Sequence, residues 1–128
     1  MLLLLHMKKK ILVIEDDNIL RKAILFALEE EGFDIVYAID GDDGFEKVKT
    51  EKPDLVLLDL MLPKTPGEKV LKDIKSSKTL KDIPVIVFSA KSDDASIVNC
   101  VDVLGANDFL IKSNYSLEEM IEKIKKNL

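Results

Sequence analysis

The sequence predicts a doubly wound α/β domain: a five-stranded parallel sheet in the order 2-1-3-4-5, with helices on both faces, forming a (βα)5 three-layer sandwich. Three observations carry this reading. Five short apolar runs recur at wide spacing, ILVI (11–14), DIVYAI (34–39), LVLL (55–58), VIVF (85–88) and FLI (109–111). Three of them are continuous rather than alternating, as strands covered on both faces are. Each run is followed by a segment of helical period, and alternating βα units imply right-handed crossovers and a parallel sheet.

The elements follow in order. After the first strand, NILRKAILFALEEEG sets Leu20, Ile24, Leu25, Leu28 and Phe33 along an apolar stripe, Asp17 reads as its N-cap or first-turn acid, and Gly32 ends it in the C′ position. GDDGFEKVKTEKP turns Phe45 and Val48 to one face and closes at Pro53. TPGEKVLKDIKSS opens as a capping box, with Thr65 as N-cap, Pro66 at the first helical position and Glu68 at the third. SDDASIVNCVDVLG sets Ile97, Val98, Val101 and Leu104 on one side and stops at Gly105. SLEEMIEKIKKNL opens with a second capping box, Ser116 and Glu119, turns Met120, Ile121 and Ile124 inward, and carries lysines in its last turn.

Bulk properties narrow the function. A chain of 128 residues fits one domain. A net charge of −5 without a basic stripe argues against direct nucleic-acid binding. The single cysteine, Cys100, leaves no intrachain disulfide framework, suits a reducing cytoplasm, and reads as a buried inert thiol. The apolar run in MLLLLHM is too short for a secretory core or a membrane span, and its lysines follow instead of preceding it. Residues 1–6 read as an expression scar ahead of a natural start, and the domain as residues 7–128.

The strand ends carry the chemistry. The first ends in Glu15, Asp16 and Asp17, the third in Asp59, the fourth in Ser89 and the fifth in Lys112. In the 2-1-3-4-5 order the switch point falls between strands one and three, where ligands sit outside the carboxyl ends, so Glu15, Asp16 and Asp59 converge. Close carboxylates raise one another's pKa, and a hard divalent cation resolves the conflict. Mg2+ suits the set best, because it takes one or two carboxylates and keeps room for water and a phosphoryl oxygen. Lys112 adds a fixed positive charge and Ser89 a hydroxyl donor. The constellation is one for phosphoryl transfer to a carboxylate, with Asp59, at its centre, as the nucleophile.

These residues resemble, across positions 8 to 127, the receiver domain of two-component response regulators, of the chemotaxis-type single-domain kind. ILVIEDD offers the acidic pair after the first strand, LLDLMLP the phosphorylated aspartate and its following proline, Ser89-Ala90 the hydroxyl position, Lys112 the lysine, and LGAND the approach to the fifth strand. The resemblance implies a flavodoxin-like fold and phosphorylation of Asp59 by a histidine kinase or phosphotransfer protein with Mg2+ bound. It implies a metal held by Glu15, Asp16, Asp59 and the backbone carbonyl of Met61. It also implies a switch in which Ser89 is drawn in and Phe109 shifts behind it, altering the face of the fourth helix, fifth strand and fifth helix toward a partner. The modified state would be reset by hydrolysis. Asn18, Arg21 and Lys22 fall on the family's kinase-docking face. The capped last helix, finishing in KIKKNL, favours a stand-alone receiver over a piece of a longer chain.

Two departures stand out. Lys112 is followed by Ser113 where the family has a cis proline; the non-proline cis form costs about 2.5–4 kcal/mol, so a trans bond and a different loop are expected. KTPG replaces an Asp-Gly pair after the third strand, although Gly67 remains. The altered turn is the support for an alternative, a phosphorylation-independent receiver-like adaptor. A hydrolase working through an aspartyl-phosphate is disfavoured, because Met61 stands where such enzymes carry a second acid. Nucleotide and flavin binding lack a suitable loop after the first strand.

Overall fold

A computed structural model describes residues 8–128; the presumed scar lies outside the described residues. The elements run β1 (Lys10–Ile14), α1 (Asn18–Glu30), β2 (Asp34–Ala38), α2 (Gly41–Glu51), β3 (Leu55–Leu58), α3 (Gly67–Ser76), β4 (Val85–Ser89), α4 (Asp94–Val98, continued by a π turn over Asn99–Val103), β5 (Asp108–Ile111), a 3-10 turn (Lys112–Asn114) and α5 (Leu117–Lys126). All strand pairs are parallel and the order is β2-β1-β3-β4-β5, as the sequence predicts.

Side chains alternate across this sheet, and each face has its own core. Leu12, Ile14, Val56, Leu58, Val85 and Val87 meet Val48 of α2, Val70, Leu71 and Ile74 of α3, and Cys100. On the other face Ile11, Val13, Leu55, Leu57, Ile86 and Phe88 meet Ile24 and Leu28 of α1 and Met120, Ile121 and Ile124 of α5. The three continuous apolar runs are the three central strands. The edge strands β2 and β5 are only partly covered. Among the described residues no helix is long and apolar enough to cross a membrane.

Local chemistry explains most element ends. Asp17 caps α1 by accepting from the Leu20 N–H, and Gly32 follows the helix with φ +91°. Ser116 and Glu119 form the full reciprocal capping box of α5. The box expected at Thr65 does not form. The Thr65 hydroxyl is bonded to Asp42 across the α2–α3 contact, Pro66 takes the N-cap position without a side-chain bond, and α3 starts at Gly67. The fourth helix also departs from its predicted stripe: Val98, expected inside, is half exposed, while Cys100 is fully buried. Ile97, Cys100, Val101 and Leu104 keep the i, i+3, i+4, i+7 spacing of one helix face, so Cys100 holds the inward position and Val98 falls at the edge of the stripe.

Candidate functional site

Parallel pairing places the strand ends side by side. Ile14 is in register with both Ala38 and Leu58, so Glu15 and Asp59 each leave the sheet at the same level. The backbone holds them there: the Glu15 N–H donates to Ala38 O at 3.1 Å, and the Asp59 N–H to Ile14 O at 3.1 Å. Glu15, Asp59 and Ser89 are all buried, whereas Asp16 is exposed. One carboxylate oxygen from each of Glu15, Asp16 and Asp59 lies within 4.8 Å of the others, so the convergence expected from topology is present.

Lys112 closes the set from β5. Its Nζ lies 2.8 Å from Glu15 Oε1 and 3.2 Å from Asp59 Oδ2. Among the described residues there is no cis peptide bond, so Lys112–Ser113 is trans and the chain turns in a 3-10 step. With a trans bond and serine at position 113, the ammonium still reaches both acids. Asp59 also accepts from the Met61 N–H, at 3.3 Å, through Oδ1, and the Met61 side chain points to solvent. Ser89 Oγ accepts from the Lys91 N–H at 3.3 Å, and Lys91 Nζ pairs with Glu68 of α3 at 3.3 Å. Phe109 is half-buried against the core beneath α2, α3 and α4.

The electrostatics are those of an overcrowded acidic site. Burial pushes the Glu15 carboxyl above its ordinary value; the Lys112 hydrogen bond opposes that, and the charge of Asp59 adds to it. Burial would lower the Lys112 ammonium, but the Glu15 hydrogen bond and the charges of Asp59 and Glu15 outweigh it and hold it above its usual range. Three oxygen donors at this spacing, with one acid still in contact with solvent, fit a hard divalent cation.

Gly67 lets α3 begin against this site. A Cβ there would stand 2.2 Å from Asp59 O and 2.5 Å from Leu60 Cα, and the Gly67 N–H donates to Leu60 O at 2.9 Å. Arg21 is the residue the sequence reading misplaced. Expected on an outward docking face, it is buried with Ile24 and Leu28 under the β1–α1 turn. The signal was available, because positions 21, 24 and 28 share the spacing of the core-facing stripe.

A carboxylate trio at the switch point of a five-stranded doubly wound sheet, faced by a lysine and a hydroxyl from the next two strands, defines a phosphoacceptor receiver domain. A model of the response regulator receiver domain family matches residues 11–125, and the chain belongs to that family. It is similar to the alkaline phosphatase synthesis transcriptional regulatory protein PhoP of Bacillus subtilis, 36% identical over 119 residues that make up 93% of this chain and 48% of PhoP. The chain thus spans about half the length of that curated relative. Among solved structures, the phosphorylated cyanobacterial phytochrome response regulator RcpA is 33% identical with a TM-score of 0.80, covering 94% of this chain and 91% of its own. The Mn(2+)-bound form of response regulator Rcp1 is 29% identical with a TM-score of 0.81, covering 92% of each chain.

Proposed function

We propose that Asp59 accepts a phosphoryl group from a histidine kinase or phosphotransfer protein, and that Glu15, Asp16, Asp59 and the Met61 carbonyl hold the Mg2+ this transfer needs. The observation that carries the reading is the placement of Asp59: buried, salt-bridged to Lys112, and close to two further carboxylates. An Asp59 oxygen attacks phosphorus, the P–N bond of the donor phosphohistidine breaks, and the imidazole leaves as the acyl phosphate forms. Bound Mg2+ would neutralise charge developing on the phosphoryl oxygens. Lys112, already oriented by Glu15, supplies the second positive charge at the same oxygens. Phosphorylated RcpA and Mn(2+)-bound Rcp1 support the chemistry by likeness.

The readout proposed is local. Ser89 exchanges its bond from the Lys91 N–H for one to the phosphoryl group, Phe109 moves in behind it, and the surface of α4, β5 and α5 changes its affinity for an output partner. Hydrolysis of the acyl phosphate resets the switch. We place this activity in the cytoplasm and in a domain spanning residues 7–128, acting without direct contact with nucleic acid or membrane.

Intact mass after incubation with a small-molecule phosphodonor, with and without Mg2+, tests the assignment. The expected result is one added phosphoryl group that requires metal and is absent from Asp59→Asn. An adduct retained by Asp59→Asn would move the acceptor elsewhere, and the absence of both an adduct and Mg2+ binding would leave the adaptor.

A further inference from the structure

Arg21 is 7% exposed, yet among the described residues no carboxylate lies within ion-pair range of it. A buried cation without an acid needs other compensation, and all of it comes from the β1–α1 turn and the neighbouring strand. Nη1 donates to the carbonyl oxygen of Glu15 at 3.1 Å and, more weakly, to that of Asp16 at 3.5 Å. Nη2 donates to Asn18 Oδ1, and the guanidinium carbon sits 5.2 Å from the centroid of the Tyr37 ring. Tyr37 is itself fixed from α2, where Lys47 Nζ donates to its carbonyl at 2.6 Å.

This arrangement clamps the acidic pair. The Glu15 N–H is held by Ala38, its carbonyl by Arg21, and its carboxylate by Lys112 and the Asp17 N–H. Asp16, by contrast, is exposed, and among the described residues its backbone carbonyl accepts only from Arg21. Like charges drive these two side chains away from Asp59, so a turn free to relax would spread the ligand set. The guanidinium holds its donors on two nitrogens at a fixed separation, so Nη1 serves the carbonyls while Nη2 holds the Asn18 amide, a spacing that the single nitrogen of an ammonium does not reproduce.

We propose that Arg21 is a positioning residue for the metal site: by clamping the backbone carbonyls of Glu15 and Asp16 it sets the Mg2+ affinity of carboxylates it does not touch. The inference rests on the site reading above. Residues one shell beyond a metal's ligands orient them, and losing one weakens binding by about 10- to 100-fold.

The test is calorimetric titration of Mg2+ into the full chain, wild type against Arg21→Met and Arg21→Lys, alongside the Mg2+ dependence of adduct formation with a small-molecule phosphodonor. Arg21→Met is expected to raise the Mg2+ dissociation constant about tenfold, and Arg21→Lys, which keeps charge but not the fork, about threefold. The rate at saturating Mg2+ should stay near wild type while its midpoint shifts. A variant that lowers the fraction of competent protein with the dissociation constant unmoved would overturn the inference, since a merely structural arginine behaves that way. Should Arg21→Met not fold, Arg21→Lys decides alone. A wild type that neither binds Mg2+ nor forms an adduct defeats the site reading itself, and that outcome shows without any variant.

Discussion

Lys112 Nζ bridges Glu15 and Asp59, at 2.8 Å from Oε1 of the first and 3.2 Å from Oδ2 of the second. One ammonium from β5 thus serves two buried carboxylates from β1 and β3, and the tolerance of acids at the ends of apolar strands follows from that sharing. The lysine is the first residue after β5, opening the 3-10 turn, and it reaches both acids with Ser113, not proline, following it.

Removing the ammonium should destabilise the metal-free protein. Breaking a buried ion pair costs about 3–5 kcal/mol, and because the Lys112 side chain is 22% exposed, about 2 kcal/mol is expected for Lys112→Met. Chemical denaturation without metal measures it. Saturating Mg2+ should recover more stability in the variant than in wild type, because the cation then takes over the charge that Lys112 supplied.

Glu15 gives a pH dependence of unusual sign. Its folded carboxyl lies above its ordinary value of 4.5, first because it is buried, against the opposing Lys112 bond and with help from Asp59. A raised folded pKa contributes stability that is complete below the unfolded value and is lost as pH rises through the folded value. The stability gap between Glu15→Gln and wild type should therefore widen in favour of the glutamine as pH rises from the ordinary carboxylate range toward neutrality. Denaturation midpoints of both proteins across that range, without metal, supply the comparison. A gap independent of pH would mean that Glu15 is not strained by its setting.

Much of this architecture was legible because the signals are short in range. Runs such as LVLL need burial on both faces wherever they stand, and Ser116 with Glu119 cap a helix using only their own backbone. Strand order then brought Glu15, Asp59 and Lys112 together without knowledge of any contact. What escaped was decided between distant segments. Thr65 has a capping sequence, but Asp42 takes its hydroxyl. Val98 is apolar and adjoins the helical stripe, but Cys100 takes the inward place against the sheet. Arg21 sits at core spacing, and the carbonyls of the turn above, the Asn18 amide oxygen and the Tyr37 ring beside it explain why a charge belongs there.

Cys100 should be chemically silent in the native state. It is fully buried in the core beneath α3, and burial pushes its thiol up to about 11. The thiolate is the reactive form, so both access and ionisation oppose modification. Labelling by an aromatic disulfide at pH 8 should proceed only through unfolding and accelerate with denaturant in step with the unfolded fraction. Rapid stoichiometric labelling of the folded protein would contradict the burial of α4 at its π turn.

Gly67→Ala tests how closely α3 must approach the site. The added Cβ would meet Asp59 O at 2.2 Å and Leu60 Cα at 2.5 Å, both backbone atoms that cannot swing aside. Relief requires moving the start of α3, which strains the 2.9 Å bond from the Gly67 N–H to Leu60 O. Overpacking of this kind costs about 1–3 kcal/mol, and its rigid partner puts Gly67→Ala at the upper end. The displacement also falls on the segment that carries Asp59, so adduct formation should slow even under conditions where the variant is fully folded. A variant of lowered stability but wild-type phosphorylation would mean that β3 holds Asp59 independently of the helix that follows it.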